Sequence, residues 1–142
     1  MRQTEVLRRD DTGPNPEVAK RLAQELITRD QVDILTGVIW TPNAMAIGPL
    51  AGEAKVPFLI MNAGTSAIIN TSPYVARVSF TLWQSSLPLG TWAAKNNLKK
   101  VFVAVSDFGP GIDAQTAFTK GFTEGGGAVV ELRIFPTGTG FS

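Results

Sequence analysis

Val56-Pro57-Phe58-Leu59-Ile60-Met61 is a run of six residues without one polar side chain, and it passes straight into Asn62-Ala63-Gly64-Thr65-Ser66, a stretch of small and polar residues. A short, continuously apolar run closed by turn chemistry predicts a strand buried on both faces, the kind found in parallel sheets. Upstream, Asp33-Ile34-Leu35-Thr36-Gly37-Val38 predicts a second strand. Between the two, Thr41-Pro42 is a helix start, and Ala44, Ile47, Leu50, Ala51 and Ala54 recur at helical spacing. Gly48-Pro49 inside that helix is expected to kink or restart it, because proline removes an amide donor and crowds the preceding turn.

The same alternation extends in both directions. Glu5 to Arg9 predicts a short strand, and Asp10 to Pro14 a turn. Asn15 is placed to cap a helix from about Pro16 to Arg29, with Pro16 at its first position, Glu17 in the first turn, and Val18, Ala19, Leu22, Ala23, Leu26 and Ile27 as its apolar stripe. Downstream, Tyr74 to Phe80 predicts a strand and Ser86 to Asn97 a helix with Leu89, Trp92 and Ala93 inward. Lys100 to Val105 follows as a strand, and Ser106 to Gly111 as a loop. Ile112 to Glu124 is then a helix with Ile112, Gln115, Phe118 and Phe122 along one side. Gly125-Gly126-Gly127 ends it, and Ala128 to Phe135 is the last strand. Repeated strand–helix–strand units predict an α/β fold, a parallel sheet with helices on both faces.

Composition excludes several chemistries. The 142 residues include no Cys and no His. That removes disulfides, thiol nucleophiles, His-based triads and ordinary zinc or transition-metal sites. Up to residue 71 there are 7 basic and 8 acidic residues, and beyond it 6 and 4. Neither half carries the basic excess that binding to nucleic acid requires. The hydrophobic fraction of 44% argues for a folded chain, and no run is apolar for the ~18 residues a membrane span needs. The N-terminus, Met1-Arg2-Gln3-Thr4-Glu5, has no apolar segment of a secretory signal. No cofactor is expected.

In open parallel sheets, ligands sit beyond the carboxyl ends of the strands. Three loops are expected there: Trp40-Thr41-Pro42-Asn43, Asn62-Ala63-Gly64-Thr65-Ser66 and Ser106-Asp107-Phe108-Gly109-Pro110-Gly111. Hydroxyls and free backbone amides at a helix start hold a carboxylate or phosphate without Arg or Lys. Each feature also has a purely structural reading. Thr41 before Pro42 serves equally as a helix cap. Gly64 serves its backbone angles, Trp40 serves as core, and Trp83 as core or domain-junction packing. Asp10-Asp11 before Gly13-Pro14 reads as turn capping rather than a metal pair. The glycines match neither G-x-G-x-x-G nor a P-loop. For catalysis only Ser106 and Asp107 present themselves, with no base beside them.

Taken together, these segments resemble the type I periplasmic substrate-binding proteins of ABC transporters, the branch of the leucine/isoleucine/valine-binding proteins and their aromatic-acid-binding relatives. The resemblance runs through Arg9-Asp10-Asp11-Thr12-Gly13-Pro14-Asn15-Pro16, Ile34-Leu35-Thr36-Gly37, Val56-Pro57-Phe58-Leu59-Ile60 and Asn62-Ala63-Gly64-Thr65. It continues through Val75-Ala76-Arg77, Val105-Ser106-Asp107-Phe108-Gly109-Pro110-Gly111 and Gly140-Phe141-Ser142. It implies two α/β lobes that close on a small ligand, a periplasmic location, a membrane permease as partner and no enzymatic activity. It implies that Thr41 grips the ligand carboxylate beside Trp40, that Ala63, Gly64 and Thr65 complete the cradle, and that Phe108 forms the far wall in place of the family's usual Tyr. Asn43 and Asn62 are further polar candidates. Where the family usually has an Asp before the Phe-Ser pair, this sequence has Gly140.

The resemblance also implies an opening strand and a second half that this sequence lacks. The expectation is therefore a fragment, with residues 1–80 as a partial first lobe and residues 81–142 opening the second. A sheet without its first strand leaves an apolar edge at Val6-Leu7 and Ile34-Leu35, so self-association is expected. The expected function is a solute-binding component of an uptake transporter, taking a branched-chain or aromatic amino acid or an aromatic acid. The alternatives are a cytoplasmic ligand-sensing regulator of the same fold, an α/β enzyme acting on a small phosphorylated molecule, and a structural module.

Overall fold

Asn15 starts the first helix as its sequence demands: the Asn15 side chain accepts from the Val18 N–H at 3.2 Å, and α1 runs Pro16–Thr28. In this computed structural model, which describes residues 4–137, α1 is followed by β1 (Leu35–Gly37), α2 (Thr41–Ala54), β2 (Phe58–Ile60), a 3-10 helix (Ser66–Thr71) and β3 (Val75–Arg77). Then come α3 (Leu82–Lys95), β4 (Lys100–Ser106), α4 (Gly109–Glu124) and β5 (Ala128–Phe135). The closing Gly140-Phe141-Ser142 lies outside the described residues. The chain divides into two compact units: residues up to Ala63 with Ala67–Ser79, and Gly64–Ser66 with the residues from Phe80 onward.

In the first unit β1, β2 and β3 form a parallel sheet in that order, with Leu35 beside Phe58 and Phe58 beside Val75. Its core joins Leu35, Phe58, Ile60 and Val75 from the strands to Ala19 and Ala23 of α1 and to Ala44, Ile47, Leu50 and Ala51 of α2. Every strand here is only three residues long, shorter than the apolar runs that announced it. The α2 helix runs through Gly48-Pro49 to Ala54, the span its apolar spacing predicts. Gly48 explains part of this. A Cβ there would collide with the Thr71 side chain, so the helix lies close against the end of the 3-10 turn and is held by tertiary packing that outweighs local propensity.

The expected strand at Glu5–Arg9 does not form; residues 4–9 carry no ladder, and Val6 is 70% exposed. A strand exists only where another supplies hydrogen-bond partners, and among the described residues β1 pairs with β2 alone. Leu35 N–H donates to Pro57 and Gly37 O accepts from Met61, so Leu35 and Gly37 face β2, and the Thr36 backbone faces the open edge. Alongside that edge runs a cavity of about 540 Å³, walled by residues 6–11 and the apolar stripe of α1.

In the second unit β4 and β5 form a parallel pair with a shift of register between Val101 and Phe102. The α3 helix begins four residues earlier than expected. Thr81 and Gln84 close a capping box, the Thr81 side chain accepting from the Gln84 N–H at 3.3 Å and the Gln84 side chain accepting from the Thr81 N–H at 2.8 Å. Leu89 and Trp92, expected inward, are 54% and 58% exposed; Ala93, expected inward with them, is buried, together with Gly90 and Ala94. The partner explains the choice. A Cβ on Gly90 would strike the Phe118 carbonyl, and one on Gly121 would strike the Leu87 carbonyl, so α3 and α4 cross on glycines with no room for large side chains. Of the side predicted for α4, Phe122 is fully buried and Ile112 is 39% exposed.

Candidate functional site

The carboxyl ends of β1 and β2 lie side by side because the strands are parallel and in register. Two hydrogen bonds carry the alignment past the strands: Met61 N–H to Gly37 O at 2.9 Å and Ala63 N–H to Val38 O at 3.1 Å. Trp40 and Thr41 at the exit of β1, and Ala63 at the exit of β2, therefore share one end of the first sheet. Thr41 is not the helix cap considered from sequence. Trp40 occupies the cap position in extended conformation, without a side-chain cap, and Thr41 is the first helical residue, 7% exposed. Trp40 is half-buried.

Ala63 is 1% exposed and bonded on both sides. Its carbonyl accepts from Arg77 Nε at 3.1 Å, at the end of β3. Arg77 thus stands beside a turn that was expected to hold an acid group without Arg or Lys. The signal was present: an Arg ending the strand next in parallel order must emerge at the same end of the sheet.

In the second unit, residues 64–66 are held by α3 and α4. The Leu82 N–H at the start of α3 donates to the Gly64 carbonyl at 3.1 Å. Asp113 in α4 accepts from both the Ser66 N–H at 2.7 Å and the Ser66 hydroxyl at 2.8 Å. Asp113 was not singled out from sequence; Asp107, the acidic residue that was, is exposed. Only the fold reveals that an acid on the first turns of α4 meets the turn after β2. Thr65 is 8% exposed and Gly64 is buried. The Gly64 N–H has no hydrogen-bond partner among the described residues. Backbone donors inside a protein are nearly always paired, so this amide is available to an acceptor. Phe108 caps α4 in extended conformation and is half-buried. A Cβ on Gly111 would strike the Ser106 carbonyl, so the turn into α4 needs that glycine.

Asn43 is not available as a ligand contact. It is fully buried, and its amide donates to Asp11 Oδ2 at 2.7 Å and to the Gly13 carbonyl at 2.8 Å. Its Oδ1 is buried without a hydrogen-bond partner. Asp10 and Asp11 cap their own turn, accepting from the Thr12 and Gly13 amides. Asn62 is exposed. Among the described residues no group of acidic side chains could hold a metal ion, and no helix is long and apolar enough to cross a membrane.

These elements have close counterparts in known proteins. Residues 2–142 match the model of the periplasmic binding protein family. The chain belongs to that family. It is 47% identical over 135 residues to a Leu/Ile/Val-binding protein homolog 6 of Brucella abortus, an alignment covering 95% of this chain and 35% of that protein. A solute-binding protein of an ABC transporter from Rhodopseudomonas palustris BisB5, solved with 3,4-dihydroxybenzoic acid, is 52% identical, with a TM-score of 0.90 over 93% of this chain and 36% of that one. A second R. palustris solute-binding protein, solved with 4-hydroxybenzoate, is 51% identical, with a TM-score of 0.89 over 92% of this chain and 36% of that one. The chain thus spans about a third of the length of the relatives it matches. The α/β fold with parallel strands agrees with theirs.

Proposed function

We propose that this chain belongs to the solute-binding component of an ABC uptake transporter, acting in the periplasm with a membrane permease, and that its ligand is a small aromatic acid. The unpaired, buried Gly64 N–H carries this reading, because it asks for an acceptor that the described residues do not supply. The hydroxyls of Thr41 and Thr65 join it in holding the ligand carboxylate, Ala63 supports the turn, and Trp40 and Phe108 supply apolar wall. Two relatives more than half identical to this chain were solved with hydroxybenzoates, which favours an aromatic acid over a branched-chain amino acid. The role is binding rather than catalysis. Apolar walls and hydrogen-bond donors hold an acid group, and among the described residues neither Ser106 nor Asp107 has a side-chain partner that would make it a nucleophile or base.

Calorimetric titration with 4-hydroxybenzoate, benzoate and leucine tests the reading. The hydroxybenzoate is expected to bind tightest. Thr41→Ala and Thr65→Ala should each weaken it about tenfold, the loss of one hydrogen bond to a charged group. Unchanged affinity in both variants would overturn the site.

We also propose that the isolated chain associates with a second copy along the open edge of β1. Among the described residues β1 pairs with β2 alone, which leaves its other edge open, and Val6 and Ile34 are 70% and 52% exposed.

A further inference from the structure

We propose that Arg77 is a positioning residue for acid recognition, acting through the peptide that joins Ala63 to Gly64. This deepens the binding role proposed above and rests on it. Arg77 Nε donates to the Ala63 carbonyl at 3.1 Å, and that carbonyl belongs to the same peptide plane as the Gly64 N–H. A charged donor on one end of an amide draws electron density toward the oxygen and leaves the N–H at the other end more positive. Hydrogen bonds chained through a peptide strengthen one another in this way, by about 10–30% each. The Gly64 N–H, buried and without a partner, is the end of that chain.

The peptides on either side are also bonded, the Ala63 N–H to the Val38 carbonyl and the Gly64 carbonyl to the Leu82 N–H, and the Arg77 bond is the one that holds the plane between them. Ala63 is buried, and a partly buried guanidinium interacts more strongly than one in water. The consequence is selectivity. Arg77 favours an anion over a neutral molecule of the same shape, without touching either.

The test compares 4-hydroxybenzoate with its neutral amide, 4-hydroxybenzamide, on the wild type, Arg77→Gln and Arg77→Lys. Glutamine keeps a donor for the Ala63 carbonyl and removes the charge. The preference for acid over amide should fall about two- to fourfold in Arg77→Gln and by less in Arg77→Lys, which retains charge. The Gly64 amide proton, followed by NMR without ligand, should shift upfield in Arg77→Gln. An equal loss for acid and amide would make Arg77 merely structural and overturn the proposal, as would an unmoved Gly64 resonance. If Thr41→Ala and Thr65→Ala weaken the acid while Arg77→Gln spares the preference, the positioning role alone fails. If those two variants leave acid binding unchanged, or no acid binds, the binding role itself fails, and the Gly64 shift still decides the polarisation.

Discussion

The two units solve the same problem, a parallel sheet against helices, with opposite resources. The first has three-residue strands and a deep core, in which Phe58, Ile60 and Ile68 are 1% exposed or less. The second has strands of seven and eight residues and little core: Ala93, Ala94 and Phe122 form its buried cluster, while Phe102, Val130, Leu132 and Ile134 are 40–59% exposed. Strand length is therefore no measure of burial here. The first unit is held by apolar volume. The second is held by the close approach of α3 and α4 on Gly90 and Gly121 and by the Phe118–Phe122 stack at 5.6 Å.

Substitutions separate these two modes. Phe58→Ala should cost the first unit about 3–5 kcal/mol, read as lost hydrogen-exchange protection at β1 and β2, because a fully buried ring is removed from the middle of its core. Gly121→Ala should cost the second unit about 1–3 kcal/mol in chemical denaturation, since the added methyl meets the Leu87 carbonyl. If the second unit proved as tolerant of Gly121→Ala as of an exposed substitution, the close-crossing account would fail. Thr81→Ala should cost about 1 kcal/mol and fray the start of α3 without touching the first unit. The smallest effect is on association: Val6→Lys with Ile34→Lys, both at exposed positions, should move light scattering toward monomer and leave melting unchanged. A wild-type monomer at all concentrations would remove the edge from consideration.

Much of the fold was legible in the sequence where one local signal decided the outcome. Asn15-Pro16 set the start of α1, and the alternation of apolar runs with helical stripes set the element order. Where a second element decides, the sequence fell short. Leu89 and Trp92 are large apolar residues of α3, yet they face outward because α4 comes too near to admit them. The Thr81–Gln84 box was a readable start signal masked by the apolar run beside it. The Glu5–Arg9 segment has strand composition but no strand to pair with. At the site, Thr41, Ala63, Gly64 and Thr65 were picked from loops after apolar runs, and the structure places Thr41 and Ala63 at one end of the first sheet. Arg77 and Asp113 escaped notice because their roles depend on which turn their elements reach, information that spacing along the chain does not hold.

The turn after β2 is tied at Ala63 by Arg77, at Gly64 by Leu82 and at Ser66 by Asp113. Under the binding role proposed above, a ligand arriving at such a turn would find the Gly64 N–H already held in place and would have less of the loop to order. The entropy of ordering is settled during folding rather than at capture, so loosening any one of these ties should shorten the time a ligand stays bound more than it slows its arrival.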